Sequence, residues 1–409
     1  MQNSVRKSIP IGFTCVGLCA IALPAATIAQ TQSHVDLTGT AGYSRNPFLL
    51  QGADGSAFGR ISVTGLHSVR GERSATDLSG YVENTTYLND YGSKQVFELR
   101  GNTRYTVSEL VEMFADAQFS GDIGGQLITR FNTVPNAPPP TEPGGVEPPP
   151  GDSFDANVLN LNRRQYRLSG QTGAIVKLSA RDSVTFAGSG QYVFFSKDSD
   201  DLNYSVVTGT VAWQREFSER TIGGARMSVQ RANYPGPHHN STVYNPQLTL
   251  HTLLGGGWDA NIAGGLSFVR RNSETGDDKS VSPSADAAVC RTTEAERYCG
   301  RASYSTQTAS TQDALQTTTV GVDYFNRLNL KDTLQARLSY VHYSGGDFGT
   351  EVATTNYYTG GMSFSHKFSD RFSAGGDAGA RKAVQKSDGK IPLDVSLSAF
   401  VRYRLGDLL

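Results

Sequence analysis

The chain has 409 residues, of which 38% are hydrophobic, with a mean hydropathy of -0.35 and a formal charge of -1. That average is too polar for a bundle of transmembrane helices, each of which needs about 20 consecutive apolar residues. It is too rich in aromatic residues (Tyr 18, Phe 19) and β-branched residues for a disordered chain, and a charge of -1 gives no bulk attraction for nucleic acid.

The chain opens with a processing signal. Arg6 and Lys7 form a basic start, the stretch 9–23 is apolar, and Thr27-Ile28-Ala29 is a small-residue cleavage site. This predicts a signal peptide over 1–29 and a mature chain over 30–409. Loss of Arg6 and Lys7, with no acid removed, takes the formal charge from -1 to about -3.

Period-two alternation starts at once. Val35, Leu37, Gly39, Ala41 and Tyr43 are apolar or small at every second position, which leaves no room for a plug domain before the first strand. The same parity returns at Phe97–Tyr105, Tyr166–Ala174, Leu334–Tyr340, Phe372–Ala380 and Leu393–Leu405. Strands of about 9–11 residues cross a bilayer when tilted, with lipid on one face and water on the other. Short turns are expected at Gly71–Arg73, near Ser108-Glu109, and at Ala180–Asp182, Ser218–Arg220, Gly255–Gly257, Lys331-Asp332 and Ser369–Arg371. Longer polar connections fall near 46–57, 89–93, 121–160, 197–201, 234–241, 273–312, 345–352 and 385–391. Short periplasmic turns with long outer loops predict an all-β, transmembrane, antiparallel up-and-down β-barrel of about 16 strands in the outer membrane. Trp213, Phe217, Trp258, Phe368 and Phe372 beside the turns, and Tyr43, Tyr87, Phe194, Tyr343 and Tyr358 near the loops, are the expected lipid-facing girdles.

Parity turns a ladder of charge inward. Arg60, Arg100, Arg104, Arg167, Lys177, Arg226, Arg337, Arg381, Arg402 and Arg404 share the polar face with Asp36, Asp77, Glu98, Glu112, Asp116, Asp259, Asp323 and Asp377. Of these, Arg100, Arg104, Arg167, Arg226, Arg337, Arg381, Arg402, Arg404, Glu98 and Asp116 are the candidate pore-lining residues. A basic ladder can guide an anionic solute, but interleaved signs more simply pair across neighbouring strands and hold a wet wall in shape.

Three loops stand out. The third, at 121–160, carries Pro135, Pro138–Pro140, Pro143 and Pro148–Pro150, a composition that favours extended polyproline structure. In general-diffusion porins the third outer loop folds inward and narrows the pore, so this one is read as either a constriction or a docking arm, or simply as a solvated loop. The loop at 273–312 carries Cys290 and Cys299, and a local disulfide closing a surface lobe is expected in an oxidising compartment. His238-His239 lie in a Pro/Gly loop without further ligands, so no metal site and no cofactor are expected. His342 and Ser344 share one face of a strand and are similar to the His-x-Ser pair of lipid A deacylases; an acidic partner, which such chemistry needs, has no assignable position.

The segment Val35–Leu49, with its Gly42-Tyr43 pair followed by Asn46-Pro47-Phe48-Leu49, resembles the first strand and loop of an outer-membrane β-barrel family of alphaproteobacteria. The repeated turns Phe217–Arg220 and Phe368–Arg371 resemble it too. Members often belong to exopolysaccharide synthesis and export systems. The resemblance implies an export channel whose partners are outer-membrane lipid, lipopolysaccharide, polysaccharide and a periplasmic export protein. The sequence departs from many outer-membrane proteins in ending on Leu409, with Tyr403 as the nearest aromatic of the last strand. A general porin for small solutes is the alternative, and a lipid-modifying enzyme a third reading.

Overall fold

The structure is a computed structural model, and it describes residues 30–50, 52, 54–89, 91–123, 164–196, 203–234, 240–273, 276–308, 314–344, 355–385 and 392–406. The proposed signal peptide, almost all of the Pro-rich loop and His238-His239 lie outside the described residues.

Among the described residues the chain forms eighteen strands and no helix. They are β1 (Gln30–Ser44), β2 (Ser56–Arg70), β3 (Ser74–Tyr87), β4 (Ser93–Ser108), β5 (Val111–Ile123), β6 (Arg164–Lys177), β7 (Asp182–Phe195), β8 (Tyr204–Ser218) and β9 (Thr221–Asn233). The second half has β10 (Asn240–Gly255), β11 (Trp258–Ser273), β12 (Gly276–Thr292), β13 (Glu296–Thr308), β14 (Ala314–Arg327), β15 (Asp332–Ser344), β16 (Thr355–Lys367), β17 (Phe372–Gln385) and β18 (Asp394–Gly406). Each strand pairs antiparallel with its sequence neighbour, and β1 pairs with β18, so the sheet closes into an up-and-down barrel without an edge. Closure removes the open sheet edge, which a backbone in hydrocarbon cannot carry. The strands have 13 to 17 residues, long enough to cross about 30 Å of hydrocarbon when tilted.

The alternation sorts the two faces. Val35, Leu37, Ile61, Val63, Leu78, Val82 and Leu99 are exposed on one face, and their strand neighbours carry the ion pairs of the other. In a closed barrel the exposed apolar face is the convex outside and the charged face lines the lumen. Connections are short at one end, the turn rim, and, apart from 274–275 between β11 and β12, longer at the other, the loop rim.

The strand number corrects the expected 16. The region 273–312 is not one loop. It holds the whole of β12 and β13, joined at the turn rim by Thr293–Ala295. Cys290 and Cys299 face each other directly across this hairpin and form a disulfide. The bond therefore staples the barrel wall on its lumen side near the turn rim, and does not close a surface lobe.

The short turns lie where the sequence placed them, and their chemistry repeats. Ser179 Oγ accepts from Arg181 N (3.1 Å) and Asp182 N (3.0 Å), Asn329 Oδ1 from Lys331 N (2.8 Å) and Asp332 N (2.9 Å), and Ser369 Oγ from Phe372 N (3.1 Å). Such side chains substitute for the missing ladder and set the hairpin register. At the Gly255–Gly257 turn all three residues have positive φ, which side chains resist. A Cβ on Gly257 would also meet Thr292 O at 2.3 Å.

Candidate channel lumen

The register puts all ten candidate residues on the face opposite the exposed apolar one. Arg100 lies opposite Gln118, Arg167 opposite Ser120, Arg226 opposite Gln247 and Arg337 opposite Asp323. The ladder is cross-strand paired. Arg100 Nε meets Asp116 at 3.0 Å, Arg104 meets Glu112 at 3.7 Å, and Arg337 bonds Asp323. Arg404 grips Asp36 with two bonds of 2.7 and 2.8 Å, and Arg381 grips Asp394 with bonds of 2.9 and 2.6 Å. Arg226 donates to Gln247 and lies 3.7 Å from Asp286. Arg402 stacks over Phe400 with 5.6 Å to the ring centroid. Glu98 sits inward opposite Tyr81 and Ser120.

Two networks were not readable from parity. Glu83, buried, pairs with Arg60 Nε at 3.3 Å and accepts from Thr85 at 2.6 Å and from Tyr81. Gln247 reaches across β11 and donates to Ser284 Oγ (2.6 Å) and Asp286 Oδ2 (3.2 Å). Parity assigns a face, but it does not say which inward residues lie level with each other across three strands.

Depth divides the lumen into two zones. Toward the turn rim the wall is polar and wet: the side chains of Arg100, Arg104 and Arg337 are 44%, 51% and 46% exposed. Toward the loop rim the inward residues of most strands are buried, apolar side chains beside polar and charged ones such as Glu83, Thr85, Ser241, Ser267, Arg271 and Asp394. This collar contains Phe58, Tyr87, Val96, Val193, Phe195, Tyr204, Val206, Val243, Val269, Leu315, Tyr343 and Tyr357, none above 9% exposed. Val193, Phe195, Tyr204, Val206, Ala232 and Tyr234 form one cluster within it, and Phe48, Phe58 and Tyr87 another, with Leu50 and Tyr91 packed against the second. The sequence did carry a signal. At Tyr192-Val193-Phe194-Phe195 both faces become apolar, so alternation stops where the collar begins.

The collar corrects two of the five loop-side girdle positions. Tyr43 and Tyr358 are exposed outward, and Phe194 stacks outward on Tyr166 at 5.0 Å. Tyr87 and Tyr343 instead point into the lumen and are buried. The turn-side girdle of Trp213, Phe217, Trp258, Phe368 and Phe372 is exposed as expected.

Part of the first connection also enters the lumen. Asn46 and Leu49 are buried and Phe48 nearly so, with Phe48 seated against Tyr87 (5.4 Å) and Tyr91 (5.2 Å). The Pro-rich third loop, expected as the constriction, lies outside the described residues.

His342 stands on the outward face with Tyr340. Its Nδ1 meets Asn356 Oδ1 at 2.8 Å, and the same oxygen accepts from Tyr340 OH at 2.8 Å. The group that orients His342 is thus an amide, not the carboxylate a nucleophilic triad uses. Among the described residues no cluster of three or more His, Cys, Asp or Glu could hold a metal ion.

No family model matches the chain, and no curated protein matches it. The chain is similar to several solved barrels. OccK2 (OpdF) of Pseudomonas aeruginosa, in complex with glucuronate, aligns with a TM-score of 0.44 at 10% identity, over 92% of this chain and 98% of that one. A BenF-like porin from Pseudomonas fluorescens Pf-5 gives 0.46 at 9% identity, over 92% and 99%. The siderophore receptor PirA from Acinetobacter baumannii gives 0.45 at 7%, over 92% and 81%. The barrel stands on its own strand pairing, and likenesses of this level add neither solute nor partner to it.

Proposed function

We propose that the chain is an outer-membrane channel for small hydrophilic solutes, with the turn rim in the periplasm and the loop rim outside. The observation that carries this reading is the division of the wall: a closed eighteen-strand barrel, apolar and exposed outside, with water-exposed ion pairs lining the turn half of its lumen. Barrels of about 16–18 strands are wide enough to hold an aqueous channel, whereas about 8 strands are filled by side chains. Turns in the periplasm and longer loops outside are the usual orientation of such barrels.

The paired ladder sets the expected selectivity. A wall on which Arg100, Arg104, Arg337, Arg381 and Arg404 are each paired with a carboxylate has little net field from these groups, so anions and cations should pass with similar permeability. In planar bilayers under a KCl gradient, the reversal potential of the protein is expected near zero. Asp116→Asn leaves the half-exposed Arg100 unpaired and should move the reversal potential toward that of chloride. A bilayer that stays silent for the protein and for every lumen variant would sink the channel reading.

Export of a secreted polysaccharide is the second reading, and Asn46–Leu49 is the motif that supports it through resemblance. A deletion strain that keeps small-solute uptake and loses surface polymer would favour it over diffusion.

A further inference from the structure

We propose that residues 46–50 are a gate seated in the loop-side collar of the lumen, and that Asp394 and Arg381 are its latch. The inference rests on the channel reading above.

A connection between two strands ordinarily runs over the surface, where water satisfies its backbone. This one is buried, with Asn46 at 0% and Leu49 at 2% exposure. Its backbone is satisfied by the wall instead. Asp394, fully buried on β18, accepts from Asn46 N at 2.9 Å and from Ser44 Oγ at 2.7 Å. Its other oxygen is held by Arg381 Nε at 2.9 Å and Nη2 at 2.6 Å, and Arg381 Nη2 also donates to Pro47 O at 3.0 Å. One ion pair therefore holds the segment at a donor and at an acceptor. Internal bonds make the segment a compact unit: Asn46 Nδ2 donates to Leu50 O at 2.9 Å, and Leu50 N donates to Asn46 Oδ1 at 3.0 Å. Leu49 sits at a φ of 53°, a conformation a leucine adopts only when its surroundings impose it. Phe48 fills the seat between Tyr87 and Tyr91, and Lys94 Nζ lies 5.6 Å from the centre of its ring.

The position explains the role. Side chains of the turn half of the lumen are exposed and those of the loop half are buried, apolar and polar together, so a segment seated in the loop half stands in the path of a solute. The strand residues of the collar are fixed in the ladder. Residues 46–50 lie between β1 and β2 and belong to no ladder, so they can leave their seat without opening the barrel. Removing the charge of Asp394 leaves Arg381 buried without its counter-charge, which strongly disfavours the latched state.

The test combines current with thiol access. In single-channel recordings, Asp394→Asn and Phe48→Ala, which weaken the latch and the seat separately, should each raise the open probability roughly tenfold or more, the equivalent of about 1.4 kcal/mol. In parallel, Phe48→Cys is exposed to a membrane-impermeant maleimide and labelling of residue 48 is read by peptide mass. The cysteine also lacks the ring, so Phe48→Cys alone is the reference rate, and labelling should be roughly tenfold faster once Asp394→Asn is added. Equal labelling with and without Asp394→Asn, together with unchanged open probability in both current variants, overturns the gate while leaving a conducting channel intact. Accelerated labelling with no current from any variant supports release of the segment and overturns the channel reading.

Discussion

Gly265 shows how a single residue lets the lumen wall form. It lies opposite Gln247 on β11, between β10 and β12, and the Gln247 amide passes this level to reach Ser284 and Asp286. A Cβ on Gly265 would lie 1.9 Å from Pro246 O and 2.9 Å from the Gln247 Cα. Pro246 has no N–H for the ladder, and a glycine opposite lets the two backbones settle closely. Gly265→Ala should therefore overpack a rigid backbone contact and cost about 1–3 kcal/mol. The measurement is the temperature at which the barrel loses its compact SDS-gel mobility, and an unchanged midpoint would show that the backbone gives way freely. Residue-scale roles of this kind are hidden in the sequence. Parity at Gln247 assigns the lumen face, but Ser284 comes into reach only through pairing across two hairpins.

At the scale of elements the sequence was more legible. Polar turn residues such as Ser179, Asn329 and Ser369 show before folding where the chain reverses, because each replaces a ladder partner with its own side-chain oxygen. The repeated Phe-Ser-Asp/Glu-Arg motif is thus turn chemistry first, with the phenylalanine exposed at the outer wall. The outward face of the β12–β13 hairpin is small along its middle, at Pro283, Ala285, Ala287, Gly300 and Ala302, with larger apolar side chains at Val281, Val289 and Tyr298. A hairpin with so little apolar surface toward lipid along its middle gains from a covalent staple. A disulfide spanning 9 residues is worth about 2–3 kcal/mol by loop-closure entropy, and less here because the turn at 293–295 already closes the hairpin. Cys290→Ser with Cys299→Ser should lower the urea midpoint of unfolding without changing single-channel conductance. A lowered conductance would instead mean that the staple shapes the lumen.

The whole molecule depends on one seam, where the first strand meets the last. Ladder pairing along β1 and β18 runs from His34↔Gly406 to Ser44↔Ser396, joining residues that are more than 350 positions apart. Such contacts repay their loop-closure entropy only late, so the seam is the costliest pairing in the barrel. It is pinned near both rims by inward charge: Asp36 with Arg404 toward the turns, and Asp394 with Ser44 and Asn46 toward the loops. The sequence placed Asp36 and Arg404 correctly on the inner face, yet nothing in a linear reading makes them partners until the sheet closes. The Asp36 side chain is only 5% exposed and that of Arg404 25%, so loss of either leaves a shielded charge without its partner. Arg404→Gln alone should destabilise the closed barrel by roughly 2–4 kcal/mol, and Asp36→Asn alone by a similar amount. The double variant removes both charges and should recover part of that loss, with a coupling of about 1–3 kcal/mol in a double-mutant cycle on urea unfolding. Additive effects in the cycle would mean that the pair does not hold the seam, and that closure rests on the ladder alone.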